Sequence, residues 1–182
     1  MEDERELIKR AKDGEAEAFG LLYDYYLPKI YRFVLLKVSH REEAEDLTHQ
    51  AFLRAWENVE KYKDEGFPFS SWLYKIARNA IIDHYRSTRH SKEEVTIEDV
   101  EELSDNEDLP LDMKLDQKIE IFRISTAIKK LKDVEQDIII MRFVDDLPHE
   151  EVARAVGKSV SATKLIQHRA IKKIKELLAK ER

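Results

Sequence analysis

"LPHEEVARAVGKSVSATKLIQHRAIKKI", residues 147–174, is the stretch on which the reading of this chain turns. Pro148 stands at the start of HEEVARAV, a position that suits the first turn of a helix. Val152 and Val156 then fall on one side, and small Ala153 lets a second helix cross closely. Gly157 supplies the turn, where a positive φ is easy for glycine. Ser159 is the predicted cap of the last helix, VSATKLIQHRAIKKIKELLAK, with Val160, Ile166, Ala170 and Ile174 as its inner stripe. The pattern is that of a helix-turn-helix. Ser161, Ala162, Lys164, Leu165, His168, Arg169 and Lys172 are left on the outside or at the rim. From Lys158 to Arg182 there are eight basic side chains and two acidic ones. Such a face suits the major groove and its phosphates. The plainer alternative is two packed helices with a solvated basic face.

Outward from this stretch, charge divides the 182-residue chain. Residues 1–90 carry a net −2, residues 91–120 a net −9 and residues 121–182 a net +5. The overall −6 therefore hides a locally basic end, which is what a nucleic-acid partner requires. The scarcity of Gly and Pro, four each, favours helices. With no cysteine there is no disulfide framework or thiolate metal site, as expected for a reducing cytoplasm. The charged start MEDERELIKRAKDG is no signal peptide, and no apolar run is long enough to insert in a membrane. Six histidines lie scattered without ligand spacing, and no Gly-rich phosphate loop occurs. These features predict a cytoplasmic protein with no catalytic residue, metal or cofactor. Asp83 and His84 point to different faces of their helix, and Asp83 is expected to pair with Arg86 or another helix neighbour.

The first half reads as four helices. Residues 3–12 form a short one ending at Gly14. In 15–39, Phe19, Leu22, Tyr26, Ile30, Phe33 and Val34 recur at helical spacing, and Pro28 is expected to bend or split the helix. Ser39 with Glu42 predicts a capping box for EEAEDLTHQAFLRAWENV. There Leu47, Ala51, Phe52 and Ala55 can pack inside, while Asp46, Gln50, Leu53, Glu57 and the rim of Trp56 can meet a partner. A loop follows, EKYKDEGFPFS. The helix 70–86, SSWLYKIARNAIIDHYR, buries Leu73, Ile76, Ala77 and Ala80. It turns Lys75, Asn79, Ile82 and Arg86 outward, with Trp72 and Arg78 at the edges. Cations hold a phosphate backbone, an amide bonds a base edge, and aromatic faces stack on unpaired bases. Periodicity alone favours a plain surface helix whose tryptophan is core.

Residues 91–112 are acidic and lack aromatics, which predicts an extended or disordered linker. Helical pattern resumes near Leu115, through Ile119, Phe122, Ile124, Ala127 and Leu131. Asp133 with Gln136 predicts a second capping box before EQDIIIMRFVD. The fold class is all-α: two small helical domains, 1–90 and 116–182, joined by an acidic flexible linker at 91–115, with the helix-turn-helix at about 148–168.

EEAEDLTHQAFLRAW, then FSSWLYKIARNAIIDHYR, then the acidic linker and the helix-turn-helix together resemble the extracytoplasmic-function sigma factors, small two-domain members of the sigma-70 family. The resemblance covers nearly the whole chain in order and spacing. It implies an alternative, stress- or envelope-responsive subunit that binds bacterial RNA polymerase core, directs it to promoter DNA and is held by an anti-sigma factor. It further implies that Asp46, Leu47, Gln50, Phe52, Leu53 and Trp56 dock on core. Phe67, Phe69, Ser70, Trp72, Lys75, Arg78, Asn79 and Arg86 would engage the −10 element, with one base flipped into a pocket of the 62–70 loop. Ser159, Ser161, Ala162, Lys164, Leu165, His168, Arg169 and Lys172 would read the −35 element. The linker would thread polymerase channels as a polyanion mimic. The competing expectation is a stand-alone helix-turn-helix regulator that binds duplex DNA without polymerase.

Overall fold

A computed structural model describes residues 3–63, 68–88 and 115–180. These form eight α-helices and no strand among the described residues. The first half holds α1 (Glu4–Lys12), α2 (Ala16–Val38), α3 (Arg41–Asn58), a 3-10 turn (Val59–Lys61) and α4 (Phe69–Thr88). The second holds α5 (Leu115–Lys129), α6 (Asp133–Phe143), α7 (His149–Val156) and α8 (Val160–Lys180). The predicted linker lies almost wholly outside the described residues, as do Phe67 and the side chains of Ile119 and Phe122.

The first half is a helical bundle built on long α2. Leu22, Tyr26, Ile30, Phe33 and Val34 are buried on one face. Phe33 meets Tyr74 of α4 edge-on at 5.3 Å, and Tyr23 meets Phe52 of α3 at 4.7 Å. Pro28 does not split α2. Pro28 and Asp24, whose carbonyl the missing N–H leaves without its helical bond, are both exposed residues, and buried Tyr26 and Ile30 hold the turns on either side. The capping box at Ser39 is also absent. Ser39 takes φ 66° to end α2, its N–H bonding the Leu35 carbonyl at 2.8 Å, and His40 precedes α3 without a side-chain cap. With so few residues between the helices, Ser39 must reverse the chain and cannot also start α3. Asp83 pairs with Arg54 of α3 at 3.2 Å instead of with a neighbour on its own helix.

In the second half, the capping box predicted at Asp133 does not form: Lys132 precedes α6 without a side-chain cap, and only the return bond of such a box is made there. Glu135 accepts from the Lys132 N–H at 2.9 Å. Gln136 is wholly buried, and its amide donates to the Lys129 and Leu131 carbonyls, both at 3.0 Å, closing the end of α5. The helix-turn-helix forms as expected. Gly157 has φ 67° and ends α7, with the Lys158 N–H on the Ala153 carbonyl at 2.9 Å. Ser159 caps α8 by accepting from the Ala162 N–H at 3.2 Å. Thr163 is buried where an apolar residue is usual, and its hydroxyl donates to the Ser159 carbonyl at 3.0 Å. His149 and Gln167 bond across α7 and α8 at 2.8 Å. Val160, Ile166 and Ile174 are only half-buried, around buried Ala170.

One buried apolar cluster runs through both halves, from Leu7 to Ala170. Two glycines separate backbone demand from packing space. Gly157→Ala forces a side chain into the left-handed region and should cost about 1–2 kcal/mol. Gly20 is helical with open space around its Cα, so Gly20→Ala should stabilise by about 0.5–1 kcal/mol. Urea denaturation of the two variants checks the opposite signs.

Candidate nucleic-acid and polymerase interfaces

Three helix faces carry the candidate residues. On α3, Asp46, Gln50, Leu53 and Glu57 form one exposed stripe, and Leu53 is 58% exposed despite being apolar. Leu47 and Phe52 are core, at 3% and 4% exposure. They cannot be contact residues as grouped above; they hold the stripe from beneath. Trp56 is half-buried against Phe19, with ring centroids 5.0 Å apart.

On α4, the outward face is formed as periodicity predicts: Lys75, Asn79 and Arg86 are exposed, and Ile82 is half-buried. Trp72 and Arg78 are half-buried at its edges. The buried side is wider than expected, because Tyr74 and Ile81 are also in the core. A cleft between α3 and α4 is lined by Arg54, Asn58, Lys61, Trp72, Lys75 and Asn79, so cations, amides and an indole share one opening. Phe69 is not part of that surface. It is 1% exposed and wedged among Tyr26, Tyr62 and Trp72, at 5.9, 5.3 and 5.2 Å. Its role is to back Trp72 and leave the other side of the indole for the cleft. Tyr62, which sequence reasoning passed over, lies 5.3 Å from Trp72. Its carbonyl accepts from Lys12 at 2.8 Å, which pins the start of the loop to α1.

On α8, Ser161, Lys164, Leu165, His168, Arg169 and Lys172 are exposed and Ala162 is half-buried. Leu165 is 51% exposed amid the cations. Ser159 is exposed, but its hydroxyl is engaged as the cap.

Two α4 candidates meet the other half of the chain. Ser70 is 5% exposed and donates to Glu151 of α7 at 2.5 Å. Arg78 donates through Nε to Asp137 of α6 at 2.6 Å. Asp137 is 1% exposed, and its other oxygen lies 2.8 Å from Lys37 Nζ of α2, itself 4% exposed. The Asp145 carboxylate and the Tyr74 hydroxyl lie close together, yet neither makes a hydrogen bond among the described residues. Burial pushes the Asp145 carboxyl up to about 6, against the lowering influence of Tyr74, Arg32 and Lys29. Burial likewise raises Tyr74.

Comparison with known proteins follows the same division of the chain. The model of sigma-70 region 2 matches residues 22–91, and that of sigma-70 region 4 matches residues 127–176. The chain is 36% identical over 173 residues to the ECF RNA polymerase sigma factor BldN of Streptomyces coelicolor, covering 95% of this chain and 65% of BldN. It thus spans just under two thirds of that relative's length. It is 29% identical over 177 residues to the ECF RNA polymerase sigma factor SigW of Bacillus subtilis, covering 94% of each. The solved structure of CnrH in complex with the cytosolic domain of CnrY superposes with a TM-score of 0.74 at 21% identity, covering 98% of this chain and 99% of CnrH. No described helix is long and apolar enough to cross a membrane.

The raised Asp145 carboxyl makes stability pH-dependent. The folded form holds the proton more tightly than the unfolded one, so Asp145 costs stability progressively as pH rises from about 3.8 to about 6, and the cost is constant above. The stability difference between Asp145→Asn and the parent should shift toward the variant across that window and then level. Urea midpoints taken at intervals of pH measure it; a difference that stays flat would contradict the assignment.

Proposed function

This chain belongs to the extracytoplasmic-function sigma factors of the sigma-70 family, and on that premise we propose that it binds bacterial RNA polymerase core and directs promoter-specific initiation as an alternative sigma factor. It works as a binding subunit, not as a catalyst, and acts in the cytoplasm where polymerase is. The observation that carries this reading is the presence on one chain of two unlike nucleic-acid faces. The α4 cleft offers an indole, amides and cations, which suit unpaired bases and a single backbone. The α8 face is a basic helix surface behind a glycine turn, which suits duplex major groove. A stand-alone duplex regulator would have no use for the first.

Asp46, Gln50, Leu53 and the rim of Trp56 are the core-docking contacts, with Leu47 and Phe52 as their support. Trp72, Lys75, Asn79, Arg78 and Arg86 engage the −10 element, together with Ser70 at the start of the helix and Phe67, which lies outside the described residues. Lys164, Arg169, Ser161, Ala162, Leu165, His168 and Lys172 address the −35 element, with Ser159 setting the start of the recognition helix. An anti-sigma factor is the expected regulator. The solved relatives support this, since CnrH is seen with CnrY and an RpoE from Bartonella quintana with the anti-sigma factor NepR.

Asp46→Ala with Leu53→Ala should abolish capture by core polymerase while helicity is kept, because both side chains are exposed. Normal capture would remove the docking assignment. Alanine at Lys164 or Arg169 should weaken −35 duplex binding by about 1–3 kcal/mol and alter sequence preference where a base is read. A loss that is uniform across sequences, with a shallower salt slope, marks a phosphate contact. Unchanged affinity for both variants would contradict the placement of the recognition face.

A further inference from the structure

A pocket lies at the start of α4. Lys61 of the 3-10 turn, Lys63 after it, Ser71, Trp72 and Lys75 of α4 and Arg154 of α7 all line it. No carboxylate lines it among the described residues. Lys63 and Lys75 make no ion pair among the described residues. Four cations thus converge on the positive end of a 20-residue helix, which favours an anion. Ser71 points to a ligand independently. It is 1% exposed, and its hydroxyl has no hydrogen-bond partner among the described residues. Its own N–H already bonds the Pro68 carbonyl at 3.1 Å, so the hydroxyl is the group left over. Buried hydroxyls in folded proteins are paired, and this one belongs to the wall of a cationic pocket. Trp72 adds a flat ring, backed by Phe69 and Tyr62 at 5.2 and 5.3 Å.

We propose that this pocket binds a free nucleoside polyphosphate. Its phosphates lie among Lys61, Lys63, Lys75 and Arg154 and accept from the Ser71 hydroxyl, and its base stacks on Trp72. The neighbouring cleft shares Lys61, Trp72 and Lys75 but adds Asn58 and Asn79, whose amides can read base edges. The pocket has no amide side chain among its described lining residues. Its four cations instead suit a dense negative charge. A polyphosphate carries that charge at one point, whereas a strand brings a single charge with each nucleotide. Because Lys61, Trp72 and Lys75 belong to both openings, a bound nucleotide excludes a strand from the cleft. That consequence rests on the α4 reading proposed above; the site itself does not.

The test titrates the full chain with ATP, inorganic triphosphate and adenosine in metal-free buffer, followed by calorimetry. ATP should bind at one site, inorganic triphosphate about tenfold more weakly for want of the base, and adenosine not at all. Ser71→Ala and Arg154→Ala should each weaken ATP binding by about tenfold. Neither residue belongs to the surfaces assigned above. Removing an unpartnered hydroxyl should also leave the urea midpoint of Ser71→Ala no lower than that of the parent, so its loss of binding is not a loss of fold. No saturable binding of ATP at millimolar concentration, or unchanged affinity in both variants, would overturn the site. Inorganic triphosphate binding as tightly as ATP would overturn the nucleotide. ATP should also displace a labelled mixed-sequence single-stranded oligomer from the parent chain. A strand that stays bound while ATP saturates would overturn the shared surface, whereas ATP binding with no strand binding strikes the α4 reading and supports the site alone.

Discussion

One carboxylate joins the two halves of this molecule. Asp137 is buried between Lys37 of the first half and Arg78 of α4, at 2.8 and 2.6 Å. A buried acid with two cations is weak grounds for net stability, since its desolvation offsets much of the attraction. It is strong grounds for specificity. Removing the acid alone leaves two poorly solvated cations and is expected to cost on the order of 3–5 kcal/mol. The contact therefore fixes one arrangement of the domains. Around it, the Lys37 carbonyl accepts from Lys129 at 2.8 Å, and Lys37 itself donates to the Asp133 carbonyl at 3.2 Å. The end of α2 is thus locked to both ends of the turn between α5 and α6.

That lock gives the two candidate faces different surroundings. The α8 face is open, with its cations exposed. The α4 face is open at Lys75, Asn79 and Arg86 but engaged at Ser70 and Arg78. Aromatic packing supports the open part: Phe69 and Tyr62 back Trp72, and Tyr62 is itself anchored through its carbonyl to Lys12. A surface that stacks on bases needs a rigid indole, and three buried or half-buried rings in mutual contact provide one.

Local pattern revealed much of this in the sequence. Gly157, the Ser159 cap and the exposed line from Ser161 to Lys172 follow from helical period and turn chemistry, and the outward face of α4 was found the same way. Errors arose where a local rule met a tertiary constraint. Of the bend or split expected at Pro28, the split does not occur, because packed turns on either side hold α2 together. Ser39 ends one helix and does not start the next. Asp83 reaches across to Arg54, a partner that no neighbour rule within one helix can find. Leu47 and Phe52 followed the family motif onto the docking face although their own spacing placed them inside. Asp137 carried no signal at all: in EQDIIIMRFVD it reads as an ordinary helix acid, and its partners lie 59 residues away at Arg78 and 100 away at Lys37.

The proposed role is that of a subunit that turns core polymerase into a promoter-specific enzyme. The most direct measurement is multi-round transcription in vitro with sigma-free bacterial core, this protein and a fragment library of its source genome, followed by sequencing of transcript starts. From that role, new starts that share a spaced pair of upstream motifs and vanish without the protein are expected. No new starts, together with tight duplex binding by the protein alone, would contradict it and leave the single-strand face of α4 without a purpose.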